Sequence, residues 1–344
     1  MPATSYRQED VLDLFGVQDE RVRSVFLRGA IERRHLVLPP LGPDGRPVTE
    51  TQGQLLDKHA RHGVAMGTEA LLSCLASAGR SGSEVDYLCC VSTTGLLTPG
   101  LTALIIKEAG LREDTSRLDV VGMGCNAGLN ALAAVAGWSI MNPGRLAVMV
   151  CAEVCSAAYV FDGTMRTSVV NSLFGDGAAA LALVASEDGA DVDDPEVAAP
   201  RILKFASHII TDASDAMRYD WDDEAGKFSF FLDRDVPYVV GANAETVIGR
   251  LLAGTGLRRS DIAHWVVHSG GKKVIDAVRV NLGLTRHDVR HTSSVLRDYG
   301  NLSSGSFLFS YQRLMAEGRV RPGTYGVLMT MGPGSTIETA LVRF

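Results

Sequence analysis

A cysteine, a histidine and an asparagine sit at related places in a repeated framework, and together they can do acyl chemistry. Cys125 lies in the turn Gly124-Cys125-Asn126-Ala127-Gly128-Leu129, directly before a proline-free, Ala/Leu-rich run from Leu129 to Trp138. A second turn, Gly300-Asn301-Leu302-Ser303-Ser304-Gly305, echoes the first with a carboxamide in place of the thiol. Upstream of it, His268 closes the apolar run Trp265-Val266-Val267. A thiol with an ordinary pKa of about 8.5 gains thiolate character at a helix N-terminus beside an imidazole. Such a thiolate exchanges one thioester for another at little thermodynamic cost. His268 and Asn301 can both donate to a single oxygen, which suits the enolate left when a malonyl thioester loses carbon dioxide. That pairing argues for decarboxylation with carbon-carbon bond formation more than for hydrolysis, which asks for an orienting group on the histidine and a path for water.

The elements that must position these groups come in two copies. Ser83-Glu84-Val85-Asp86-Tyr87-Leu88 matches Ser260-Asp261-Ile262-Ala263-His264-Trp265, each after a glycine (Gly79, Gly256) at equal spacing. Val91 precedes Cys125 by 34 positions and His268 precedes Asn301 by 33. Pro143-Gly144 and Pro322-Gly323 then lead into Ala147-Val148-Met149-Val150 and Gly326-Val327-Leu328-Met329. Helix and strand alternate, and the strands are continuously apolar, as in sheets covered on both faces. Two α/β halves are expected, residues 1–190 with the nucleophile and 191–344 with the histidine and asparagine, packed as a pseudo-dimer. The acidic stretch from Glu187 to Asp194 reads as a solvated loop near the joint. Near the C-terminus, the amides of Gly332-Pro333-Gly334-Ser335 are candidates for an oxyanion hole with that of Cys125; from glycine content alone, an ordinary turn is an equal reading.

Composition narrows the classes. The 344 residues are 46% hydrophobic, ample for a large buried core. The net charge of -7 and the lack of a basic run interleaved with aromatics argue against nucleic acid. No apolar run reaches membrane-spanning length and no charged-then-apolar leader follows Met1, so a cytoplasmic setting is expected. The six cysteines should be reduced there. Cys151 and Cys155 lack a second pair at zinc spacing, and no metal site is read from them. His35, His59, His62, His208, His264, His287 and His291 lie outside the duplicated context and read as structural.

Together these segments resemble the type III polyketide synthases, the chalcone-synthase-like branch of the thiolase superfamily. Trp265-Val266-Val267-His268-Ser269-Gly270-Gly271 is similar to that family's histidine motif, Tyr299-Gly300-Asn301-Leu302-Ser303-Ser304 to its asparagine motif, and Gly332-Pro333-Gly334-Ser335-Thr336-Ile337-Glu338-Thr339 to its C-terminal signature. Leu173-Phe174-Gly175-Asp176-Gly177-Ala178 is shared more widely, by related ketosynthases. The resemblance implies a thiolase-like fold with layered αβαβα architecture, Cys125 as acyl carrier, and His268 and Asn301 as the decarboxylation pair. It implies Phe174 and Phe230 as gatekeepers and Ser303 as a substrate-binding residue. Arg21 and Arg28 match positions that bind CoA phosphates, although Ser24 replaces one expected base; Lys272 and Lys273 either assist or form a solvated face. CoA thioesters are the expected substrates with no other cofactor, a homodimer the expected assembly, and no carrier protein is expected.

Within the family, the stretches Arg117 to Asn126, Asp215 to Asp222 and His268 to Lys273 are similar to a bacterial branch that joins malonyl-CoA units into 3,5-dihydroxyphenylacetyl-CoA for glycopeptide antibiotics. An eight-carbon acyl group is four two-carbon units. Another starter or product, a ketosynthase III-like condensing enzyme, and a catalytically silent dimer partner remain alternatives. The family opens with a strand and a Gly-rich turn ahead of the segment from Tyr6 to Phe15. This sequence does not contain them, and an equivalent or a replacement is expected in the native protein.

Overall fold

The computed structural model describes residues 1–158, 160–186 and 199–344. The acidic stretch from Glu187 to Asp194 lies outside the described residues. At the N-terminus, strand β1 (Ser5–Arg7), helices α1 (Gln8–Leu14) and α2 (Glu20–Leu27) and strand β2 (Arg33–His35) form a cap. β1 and β2 pair antiparallel, and Val11, Leu12, Val22, Phe26 and Leu36 give the cap a small core of its own.

The first half follows. Helix α3 (Gln52–Ser77) starts at a capping box between Thr51 and Gln54, which satisfies amides that the first turn leaves free. Then come β3 (Val85–Ser92), α4 (Leu101–Ala109), β4 (Ser116–Val121), α5 (Ala127–Met141), β5 (Leu146–Glu153), α6 (Met165–Leu173) and β6 (Gly177–Leu183). The sheet order is β4-β3-β5-β6, parallel except for the antiparallel β6. Every residue of β5 is buried, as its unbroken apolar sequence requires of a central strand covered on both faces.

The second half contains β7 (Arg201–Ile209), the hairpin β8 (Met217–Asp222) and β9 (Lys227–Leu232), α7 (Val236–Leu252), β10 (Ile262–Val267), α8 (Lys272–Asn281), α9 (Arg290–Tyr299), α10 (Ser306–Ala316), β11 (Tyr325–Gly332) and β12 (Thr336–Arg343). Its sheet runs β10-β11-β12-β7. β10 and β11 are parallel while β12 is antiparallel to β11, which repeats the β3, β5, β6 relationship. β7 adds an outer strand to β12; among the described residues β6, its counterpart, has no such outer partner. All strands of the first sheet end by Leu183 and all strands of the second begin at or after Arg201.

α5 is apolar nearly all round; its first turns are buried, while Ala134, Gly137, Ile140 and Met141 are exposed. It packs on β3 and β5 on one side and on β11 and β12 on the other, and α10 likewise touches both sheets. α3 and α4 cover the first sheet from outside, and α7 with α8 covers the second. The layers are therefore helix, sheet, helix, sheet, helix, as the duplication and the family resemblance led us to expect.

Candidate active site

The two echoing turns meet. Cys125 sits in a single 3-10 turn, Gly124–Asn126, that runs straight into α5, and Ser303–Gly305 forms the same turn before α10. Both innermost helices thus begin at one place. Cys125 is buried, with its Sγ 3.7 Å from the Ser303 hydroxyl and 4.0 Å from the Asn301 side-chain nitrogen. The Asn301 side-chain oxygen, Oδ1, accepts from the Ser303 amide at 2.8 Å and from the Ser306 hydroxyl at 3.2 Å. With the oxygen held, the amide's donor end is directed towards the thiol. Ser303 adopts a left-handed φ of 50°, a conformation with a cost for any residue but glycine.

His268 follows the end of β10, anchored by its amide to the Met329 carbonyl at 2.8 Å. It is buried, and its Nδ1 has no hydrogen-bond partner among the described residues. A buried polar atom with no protein partner is left free to meet water or a ligand. Burial pushes the imidazole down to about 3 and the Cys125 thiol up to about 12, the latter against its hydrogen bonds with Ser303 and Asn301. Burial thus favours the uncharged form of each group in the absence of a ligand. Desolvation therefore opposes the thiolate expected at a helix N-terminus, and Ser303 and Asn301 favour it.

The C-terminal turn reaches Cys125, but through its first residues. A Cβ on Gly332 would lie 2.8 Å from the Cys125 amide nitrogen and 2.4 Å from Asn126 Oδ1, and one on Gly124 would collide with Pro333. Gly334 is left-handed, and the Ser335 hydroxyl is turned to the Ala213 carbonyl at 2.6 Å, where it ties down the segment before β8. Phe174 and Phe230 meet edge to face with centroids 6.0 Å apart. Phe174 lies in the same short ladder as Asn301, since the Asn301 amide donates to the Leu173 carbonyl and the Gly175 amide to the Asn301 carbonyl, both at 2.9 Å. Arg21 and Arg28 are exposed, two turns apart at α2 with Ser24 between them. Lys272 pairs with Asp276 at 3.3 Å.

Sequence reasoning missed a polar chain behind the nucleophile. The Ser303 hydroxyl also lies 3.1 Å from that of Thr93, and Thr93 bonds the carboxyl group of Glu153 through both its amide and its hydroxyl. Ser304 and Ser92 complete the shell around Glu153. Glu153 is fully buried, and desolvation raises its pKa. The available signal was a lone acid ending the apolar run from Leu146 to Ala152.

Residues 203–344 match the family model of chalcone and stilbene synthases, C-terminal domain, and residues 25–266 match that of FAE1/type III polyketide synthase-like proteins. The chain belongs to the type III polyketide synthases. It is 67% identical to the 3,5-dihydroxyphenylacetyl-CoA synthase of Streptomyces toyocaensis, over 99% of this chain and 87% of the relative. It is 66% identical to the enzyme of the same name from Amycolatopsis balhimycina, over 99% and 90%. The crystal structure of 1,3,6,8-tetrahydroxynaphthalene synthase from Streptomyces coelicolor A3(2), 26% identical, superposes with a TM-score of 0.87 over 100% of this chain and 96% of the other. This type III polyketide synthase thus carries a Cys125, Asn301 and Ser303 cluster that both of its halves build, with His268 at the end of a strand of the second sheet. No helix among its described residues is long and apolar enough to cross a membrane.

Proposed function

We propose that this synthase condenses four malonyl-CoA units and closes the tetraketide to 3,5-dihydroxyphenylacetyl-CoA. Its likeness to two synthases named for that product, at 66–67% identity over 99% of the chain, carries the reading of the product. The fixed Asn301 amide facing Cys125 carries the reading of the chemistry. Cys125 attacks the thioester carbonyl of a CoA substrate; the bond to the CoA sulfur breaks, and CoA leaves with the cysteine's proton. In a second malonyl-CoA the bond to the carboxylate breaks and carbon dioxide departs. The electron pair passes into an enolate whose oxygen accepts from Asn301 Nδ2 and from the neutral His268 ring. The enolate carbon attacks the Cys125 thioester, the new carbon-carbon bond forms, and the Cys125 sulfur leaves. A neutral donor pair suits this step, because neither member has to gain a proton first.

Phe174 and Phe230 border the entry, Arg21 and Arg28 meet the CoA phosphates, and no cofactor or carrier protein takes part. The synthase works as a cytoplasmic homodimer in antibiotic biosynthesis; the outer edge of β4, unpaired among the described residues, and the exposed Val121 offer surface for the dimer. The test is purified protein with malonyl-CoA alone, followed by mass spectrometry. A dihydroxyphenylacetyl thioester and an acyl adduct on Cys125 are expected. Protein that loads Cys125 and releases carbon dioxide but yields another product, or needs a different starter, overturns the product assignment.

A further inference from the structure

The His268 ring makes no hydrogen bond among the described residues. Histidines that do chemistry are commonly oriented by a partner on the second ring nitrogen. Without one, the place of this ring is set by packing and by the backbone. The packing includes Gly270, where a Cβ would stand 2.9 Å from the ring carbon Cδ2. The backbone is held on two edges. On one, the His268 amide donates to the Met329 carbonyl of β11 at 2.8 Å. The other edge meets no strand among the described residues, since β10 is the outermost of its sheet. There a side chain does what a strand would do. The Thr292 hydroxyl donates to the Val267 carbonyl at 2.8 Å and accepts from the Val267 amide at 3.2 Å. Both residues are fully buried. Without the hydroxyl, two backbone groups next to His268 would be buried and unpaired, which is costly.

We propose that Thr292 is a positioning residue for His268, and that α9 sets the spacing of the two donors that meet the enolate. This role rests on the reading of His268 and Asn301 as the decarboxylation pair. Thr292 lies in the first turn of α9, and the same helix ends at Gly300, directly before Asn301. The far end is fixed in turn: the Gly300 amide donates to the Leu296 carbonyl and the Asn301 amide to that of Leu173, both at 2.9 Å. Ten helical residues span about 15 Å and neither stretch nor bend easily. One stiff element therefore joins the end of β10 to the asparagine turn. A threonine at a helix start often caps its own helix. Thr292 does not, because both bonds of its hydroxyl go to Val267.

The purified protein with malonyl-CoA supplies two rates, acylation of Cys125 by mass spectrometry and release of labelled carbon dioxide. Thr292→Val keeps the shape and removes the hydroxyl. Carbon dioxide release should fall about tenfold, while Cys125 acylates at the wild-type rate. Thr292→Ser returns the hydroxyl and should restore release. Thr115→Val is a structural loss of the same kind away from the site. Thr115 is buried, and its hydroxyl donates to the Val85 carbonyl at 3.1 Å, at the start of β3. That variant should melt at a lower temperature with the ratio of release to acylation unchanged. Thr292→Ala serves should the Thr292→Val protein not fold, and should show the same split. Release and acylation that fall together, an unchanged ratio in the folded Thr292 variant, or no rescue by Thr292→Ser overturns the role of Thr292. Wild type that acylates Cys125 and releases no carbon dioxide overturns instead the reading of His268 and Asn301.

Discussion

The side-chain nitrogen of Asn301 stands 4.0 Å from Cys125 Sγ, and the oxygen of the same amide is held by Ser303 and Ser306. The amide therefore cannot flip without breaking two bonds. Asn301→Asp keeps the acceptor and deletes the donor. It should lower condensation by about 100-fold or more, the usual scale for losing one such donor, while Cys125 still loads from malonyl-CoA. Condensation near the wild-type rate would remove Asn301 from the chemistry.

Ser303 supports the thiolate against burial. Its hydroxyl lies 3.7 Å from Cys125 Sγ and holds the thiol's pKa below where desolvation alone would put it. Ser303→Ala should raise that pKa further. Alkylation of Cys125 by iodoacetamide at pH 8 should slow by about tenfold, near the low end for a hydrogen bond to a charged group. An unchanged rate would mean that the contact does not act on the thiolate.

Gly332 has no room for a side chain. Its Cβ would stand 2.4 to 2.8 Å from Asn126 Oδ1, Asn126 N and Cys125 N, two of them backbone atoms that cannot give way. Gly332→Ala should cost about 1–3 kcal/mol of stability and should lower kcat by shifting the Cys125 turn. Gly137→Ala, in open space on α5, is the matched control and should stabilise by about 0.5–1 kcal/mol. A Gly332→Ala protein with normal melting and normal turnover would refute the close packing of the two halves here.

Buried histidines make the fold acid-sensitive. Burial holds His59 at about 4 and His268 at about 3, against a reference value of 6.5. Below pH 6.5 the unfolded chain takes up protons that the folded chain refuses. Their effect is thus absent above that pH, and stability falls as pH drops towards those values. At pH 5 each costs about 2 kcal/mol. Glu153 and Asp176, whose pKa values burial raises, act in the opposite sense and are common to both proteins compared. His59→Gln should therefore lose about 2 kcal/mol less than wild type between pH 7.5 and pH 5, measured by urea unfolding at each pH. Equal losses would place a charged, solvated His59 in the folded state.

Arg21 and Arg28 are exposed at α2 and make no ion pair among the described residues. Replacing both with alanine should raise KM for malonyl-CoA by about tenfold with little change in kcat. A fall in kcat at constant KM would count against phosphate binding.

Much of the architecture could be read from the repeat. The spacing from Val91 to Cys125 and from His268 to Asn301 foretold two like halves, because the crossover from strand to turn to buried helix has a fixed length in both. The unbroken apolar run Ala147-Val148-Met149-Val150 likewise announced a strand covered on two faces. The charge state of Cys125 was not legible. Local sequence shows a helix start, whereas the pKa is set by how completely the other half closes over the thiol. The Glu153 chain was hidden for the same reason: Thr93, Glu153 and Ser303 come from three distant segments that only the packed sheets bring together. The roles of Gly332 and Ser335 within one signature also needed coordinates, since the sequence fixes their order and not which of them faces Cys125.

The turns bearing Cys125 and Asn301 open the two helices buried between the sheets. Loops that carry chemistry are commonly the parts of a protein that open first. Here the reacting groups sit instead on turns buried in the core, and the amides of those turns should exchange hydrogen only through global unfolding. Heat should then abolish turnover and fold in one cooperative event, with no interval in which a folded but inactive synthase accumulates.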